Sequence, residues 1–230
     1  MANRTPDYFP RRIDQHVPDM SYSADAVHSG PLLVNLGTPI AADPDYFLTA
    51  RTATSGAATV FLNAQFTKDS ATSSPYGACV DVTSSATNTA AQVLLVQGRD
   101  YLGQVMTETL LIPATATTTT GVKAFKYLDS VRFGTGAYGG TLSVGQSNKQ
   151  GLPYRTMNVG VDVENYATVG TGGTFVACLS TGTTGTATTV DSRGTWSPGD
   201  VADGATVYQL ECYADQRNIH GATAYFSATL

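Results

Sequence analysis

Apolar and polar residues alternate along this chain in short runs, and Gly, Asn, Asp, Ser and Pro separate one run from the next. A period of two is the mark of a strand with one buried face. It predicts strands over 31–37, 45–52, 57–67, 77–84, 90–100, 104–112, 122–134 and 140–146. Further strands are predicted over 158–166, 173–181, 187–196, 206–215 and 222–230. No amphipathic segment of period 3.6 is long enough for a sustained helix; "YLDSVRF" (127–133) has room for a single turn. Many short strands at regular spacing with turn signals between them are the pattern of a sandwich or jelly roll. The fold expected is all-β: a β-sandwich or jelly-roll-like body over 31–230, with two sheets wound into one compact unit.

The stretch "LLVQGRDYLGQVMTETLLI" is the clearest hairpin. Val93, Leu95 and Gln97 alternate with Leu94, Val96 and Gly98, so both faces are largely apolar and the strand should be central. "RDYLGQ" then reverses the chain, with Gly103 free to take the positive φ of a tight turn. On the return strand Met106, Glu108, Leu110 and Ile112 share one face. Pro113 ends it, and "ATATTTTG" reads as a hydroxyl-rich loop. "GQSNKQGLPYR" (145–155) reads as a polar turn and is the best candidate for a sub-boundary or crossover.

Residues 1–30 differ from the rest. They carry Pro6, Pro10 and Pro18, charges of both signs, and aromatics at Tyr8, Phe9 and Tyr22, without a sustained period. Pro disfavours helices and ladders alike. The segment reads as an extended N-terminal arm. Tyr8 and Phe9 suit an apolar groove and Arg11 and Arg12 suit carboxylates, which makes these four the candidate partner-binding residues.

Composition sharpens this picture. The chain has 230 residues, of which only 13% are charged, while 42% are hydrophobic. Thr, stiff at χ1, fits a pleated surface better than a helix. A net charge of −5 argues against a nucleic-acid binder that relies on phosphate neutralisation. No apolar run approaches the roughly 18 residues of a membrane span, and the N-terminus lacks the apolar centre of a signal peptide. Cys79, Cys178 and Cys212 are odd in number and widely spaced among β-prone neighbours. They read as three buried, reduced thiols, in keeping with synthesis in a reducing cytoplasm.

The residue types that carry chemistry do not assemble into a motif. His16 and His28 lie in the arm and His220 in "RNIHGA", with no GxSxG nucleophile turn in the chain. "ADPD" (42–45) and "VDVE" (161–164) space two acids at i and i+2, which on a strand puts both on one face. The first is more simply a proline turn, and the second a solvated face with its valines inward. Neither a cofactor nor a metal is expected, nor hydrolase or transferase activity. Charge is uneven, however. Lys123, Lys126, Arg132, Lys149 and Arg155 face only Asp129 between 122 and 155. Beyond them Asp162, Glu164, Asp191, Asp200, Asp203, Glu211 and Asp215 face only Arg193. Such polarity can orient a protein on its partner.

"LLVQGRDYLGQVMTETLLI", "GVKAFKYLDSVRF", a Gly-rich loop, "NKQGLPYR" and "TTVDSRGTWSPGDVADGATVYQLECYADQRNIHG" together resemble virion proteins of tailed bacteriophages, over roughly residues 90 to 222. Within that group the chain resembles head decoration (cement) proteins. The resemblance implies a β-rich, non-enzymatic virion structural protein, often a homotrimer, bound outside the shell of major capsid protein and stabilising the head. Its partners would be the major capsid protein and further copies of itself, with no nucleic acid and no membrane. Two other readings remain open. One is a tail- or fibre-associated virion protein whose β-sandwich binds a carbohydrate or receptor, with Trp196 and tyrosines stacking on sugars. The other is a cellular β-sandwich module or hydrolase.

Overall fold

The computed structural model describes residues 32–52, 74–87, 91–115, 117–134, 140–153, 155–164, 167–168, 172–178, 191 and 193–214. The chain divides into two units, Met1–Gly30 and Pro31–Leu230, and every described residue belongs to the second. The predicted strands at 57–67 and 222–230 therefore lie outside the described residues.

All regular elements among the described residues are strands. They are β1 (Leu32–Gly37), β2 (Asp43–Thr52), β3 (Ala78–Ser84), β4 (Gln92–Arg99), β5 (Val105–Ile112), β6 (Thr118–Phe125) and β7 (Tyr127–Phe133). β8 (Thr141–Gly151), β9 (Thr156–Glu164), β10 (Ala167–Thr168), β11 (Thr174–Val176), β12 (Thr195–Ser197) and β13 (Tyr208–Ala214) follow. The body is an all-β sandwich. Every strand pair is antiparallel. No helix among the described residues is long and apolar enough to cross a membrane.

Among the described residues three sheets form rather than the two expected. A four-stranded sheet runs β1-β13-β9-β10, a six-stranded sheet runs β11-β12-β8-β3-β6 with β2 also on β8, and a three-stranded sheet runs β5-β4-β7. Residues 145–151, read from sequence as a turn, are the second half of β8. Its polar side chains are buried rather than solvated: Gln146, Ser147 and Gln150 are all inside. The first half of β8 pairs with β2 and its end with β12, so this one strand serves both halves of the body.

Two apolar cores result. The first lies between the six- and three-stranded sheets and is aliphatic with a few Phe: Val80 and Val82 from β3, Leu142 and Val144 from β8, Leu94 and Val96 from β4, Leu110 and Ile112 from β5. Strict alternation of inward and outward residues along β4 and β5 builds it. The second gathers Val34 and Leu36 of β1, Tyr208, Leu210 and Cys212 of β13, Leu152, Ala202 and Trp196.

Other local expectations change as well. Thr118–Thr120, expected in a loop, open β6, because β-branched Thr pairs well with β3 across Val82↔Thr119 and Thr83↔Thr118. The single strand predicted over 122–134 is two strands that break at Lys126 and belong to different sheets. "YLDSVRF" is β7 and holds no helical turn.

Candidate functional site

The predicted site residues Tyr8, Phe9, Arg11 and Arg12 lie outside the described residues, as do His16, His28 and His220. Within the described body, the strongest assembly of side chains surrounds the turn of the β4–β5 hairpin. The two strands are in unbroken register from Gln92↔Ile112 to Arg99↔Val105. The Asp100 amide donates to Gln104 O (3.0 Å) and the Gly103 amide to Asp100 O (3.1 Å). Asp100 Oδ1 accepts from the amides of Leu102 (2.9 Å) and Gln104 (2.8 Å), and Gly103 has φ +82°. A carboxylate that folds over its own turn in this way closes it tightly.

The other oxygen of Asp100 points inward. It accepts from Arg193 Nη1 at 3.4 Å, and Arg193 Nε reaches Asp191 Oδ1 at 3.5 Å. All three side chains are buried. Asp191 also accepts from the Ala124 amide (3.0 Å), while Arg193 Nη2 donates to Ala124 O (3.5 Å). The guanidinium lies 4.9 Å from the centroid of the Tyr101 ring, and that ring meets Tyr76 edge-on at 5.4 Å. The Tyr101 hydroxyl donates to Pro153 O. Desolvating three charges is expensive, and such a cluster stands only when its hydrogen bonds are made. Here they tie the hairpin turn to β6, to the segment before β12 and to the end of β8.

A turn anchored this firmly displays what lies outside it. Leu102 is 44% exposed, Val105 72% and Tyr127 41%. Val105, Arg99 and Tyr127 sit side by side across the sheet, because Arg99 pairs with Val105 on β5 and with Tyr127 on β7. Arg99 forms a two-pronged ion pair with Asp129 (2.9 and 3.0 Å), and that contact raises the Arg99 pKa further. Further along the same face Val93 and Leu111 are cross-strand neighbours, both exposed. β4 is central, as its sequence implies, yet only one of its faces is buried. The outer face of this sheet thus carries exposed apolar side chains beside an exposed ion pair. Sequence reasoning missed this group; Leu102 at the tip of a turn, where polar residues are usual, is the signal that could have found it.

The remaining candidates resolve differently. Trp196 is 1% exposed and packs on Tyr208 with ring centroids 5.5 Å apart. It offers no platform for a sugar. In "VDVE" the valines do not face inward: Asp162 shares the face of buried Leu210, while Val161 and Val163 pair with Glu211 and Gln209. A bulge at Gly160 inserts one residue and reverses the alternation. A Cβ there would stand 2.9 Å from the Tyr213 ring, which would have to shift. Asp162 accepts from the Gly173 amide at 2.5 Å. In "ADPD" the Asp45 amide donates to Asp43 Oδ1 (3.2 Å) where β2 begins. The basic cluster of 122–155 is not a surface patch, because Lys123 and Arg155 are interior.

All three cysteines are buried thiols outside any disulfide, and Cys178 Sγ donates to Met157 Sδ at 3.5 Å. Burial pushes the Cys79 thiol well up and the Cys212 thiol to about 12. Among the described residues no group of three or more His, Cys, Asp or Glu side chains gathers to hold a metal ion. Comparisons with protein-family models, curated proteins and solved structures find no match to this chain.

Proposed function

We propose that the chain is a non-enzymatic virion structural protein, a capsid decoration (cement) protein that binds the outer surface of a shell of major capsid protein. The observation that carries this reading is the anchored hairpin turn. A buried Arg193–Asp100–Asp191 cluster anchors the turn beside which Leu102, Val105 and Tyr127 are exposed. Rigid apolar anchors lose little entropy when they dock. Many copies on a repeating shell multiply a modest single contact. The arm, with Tyr8, Phe9, Arg11 and Arg12, supplies the second contact of this proposal, across a neighbour in a homotrimer or onto the shell. The sequence resemblance to decoration proteins supports the same assignment. The reading as a carbohydrate-binding tail protein loses its main support with the burial of Trp196.

The test is to locate the chain in purified particles by cryo-electron microscopy and to count copies by mass spectrometry. A high copy number spread over the head is expected. A few copies confined to the tail, or none, overturns the assignment. Binding to empty heads then separates the two contacts, by comparing the intact chain, a deletion of residues 1–30, and the surface variant Leu102→Asp.

A further inference from the structure

The six- and three-stranded sheets meet along β5 and β6, the edges of the two sheets, and no main-chain ladder joins these strands. Side chains do the joining. Glu108 of β5 accepts from the amides of Val122 (2.6 Å) and Lys123 (3.4 Å) on β6. In the reverse direction Lys123 Nζ donates to Thr107 O of β5 at 2.7 Å, and Thr119 Oγ1 donates to Leu111 O at 3.4 Å. Glu108 and Lys123 are both buried. Gly121 leaves the room: a Cβ there would stand 2.6 Å from Glu108 Oε2.

We propose that this junction is a proton-linked latch, in which the ionisation of Glu108 sets how readily the sandwich opens between β5 and β6. A backbone ladder does not titrate, whereas a carboxylate standing in for one does. The charged groups facing Glu108 are Lys123 on β6 and Asp191 ahead of β12, and the Cys79 thiol of β3 feels both Glu108 and Asp191. Burial is the largest influence and raises the Glu108 pKa above the ordinary carboxylate value, against the two amides and Lys123, which lower it. When the latch opens, Glu108 returns to water and to its ordinary pKa. The closed form therefore binds the proton more tightly, and closure is most favourable with the acid neutral. It weakens as pH rises from the ordinary glutamate range through the raised value. Either protonation state keeps an oxygen to accept the Val122 N–H.

Amide hydrogen exchange tests this on the full chain, read at Val122 and Lys123 across that pH range and corrected for intrinsic exchange. In the native protein their protection should fall as pH rises. Glu108→Gln, which keeps an acceptor and cannot ionise, should retain the protection and lose its pH dependence. Glu108→Ala should exchange at these two amides about tenfold faster, and Gly121→Ala, whose methyl pushes the carboxylate aside while Glu108 itself is kept, should do the same. Amides of β4 serve as the reference and should stay protected. An unchanged pH profile in Glu108→Gln overturns the latch. So does unchanged exchange at 122 and 123 in both alanine variants.

Discussion

The two cores of the body are built by different means. The core between the six- and three-stranded sheets is made of Val, Leu, Ile and Phe projected inward by regular alternation, and its strands are seven to eleven residues long. The core behind β1 and β13 centres on Trp196 and Tyr208, carried by strands that include the three-residue β11 and β12. The buried cluster of Asp100, Asp191 and Arg193 ties the β4–β5 turn, whose strands line the first core, to the segment before β12, which carries Trp196 of the second. Long alternating strands specify their register through pattern alone. Short strands cannot, and here ion pairs and ring contacts fix the position of the segments around them. The first core is held by apolar area, and the charged cluster by the geometry of its hydrogen bonds.

Removing the boundary charge should have the largest effect. Arg193→Ala takes the shared guanidinium from the buried Asp100 and Asp191 and should cost on the order of 3–5 kcal/mol, read by urea denaturation. A loss under about 1 kcal/mol would show that the cluster is dispensable. Leu94→Ala opens a cavity at the centre of the aliphatic core and should cost roughly 2–5 kcal/mol. The equivalent change at Leu210 in the second core tests whether that core is as tightly packed; equal costs would erase the contrast drawn above. Gly103→Ala forces a Cβ into positive φ and should cost about 1–2 kcal/mol, without altering contacts in either core.

Two smaller effects concern ionisation. Burial raises the pKa of Glu108 and of Asp81, whose carboxylate accepts from Thr120 Oγ1 at 2.6 Å. Their contribution to stability is complete below their ordinary values near pH 4. It is lost as pH rises through the raised folded values, so the urea midpoint should fall over that window. The double variant Glu108→Gln with Asp81→Asn should flatten the slope, and a slope left intact would assign it to other groups. The thiols should label with a maleimide only as the body unfolds, because Cys79 and Cys212 are buried with raised pKa values. Fast labelling of either under native conditions would contradict the packing of its core. Removing the exposed Arg99–Asp129 pair by Arg99→Ala should leave the urea midpoint unchanged.

The pattern from Leu94 to Ile112 determined the hairpin and put Met106, Glu108, Leu110 and Ile112 on one face of the return strand, since period two and side-chain direction on a strand are the same fact. With both faces of β4 apolar, only the packed sheets decided that Leu94 and Val96 point inward. Gly103 announced its turn. The class of fold was legible throughout, because Thr, Val and turn residues leave little choice of backbone. The sequence could not say that "GQSNKQG" continues a strand, because its glutamines are satisfied by an interior that exists only after the sheets meet. It could not place Asp162 inward, because one extra residue at Gly160 reverses a pattern that otherwise reads the other way. Nor could it pair Arg193 with Asp100, which lie 93 positions apart. Local pattern fixes which way a side chain points from its own strand. Which charge it meets, and whether water reaches it, depends on strands brought together from distant parts of the chain, and only the tertiary structure decides that.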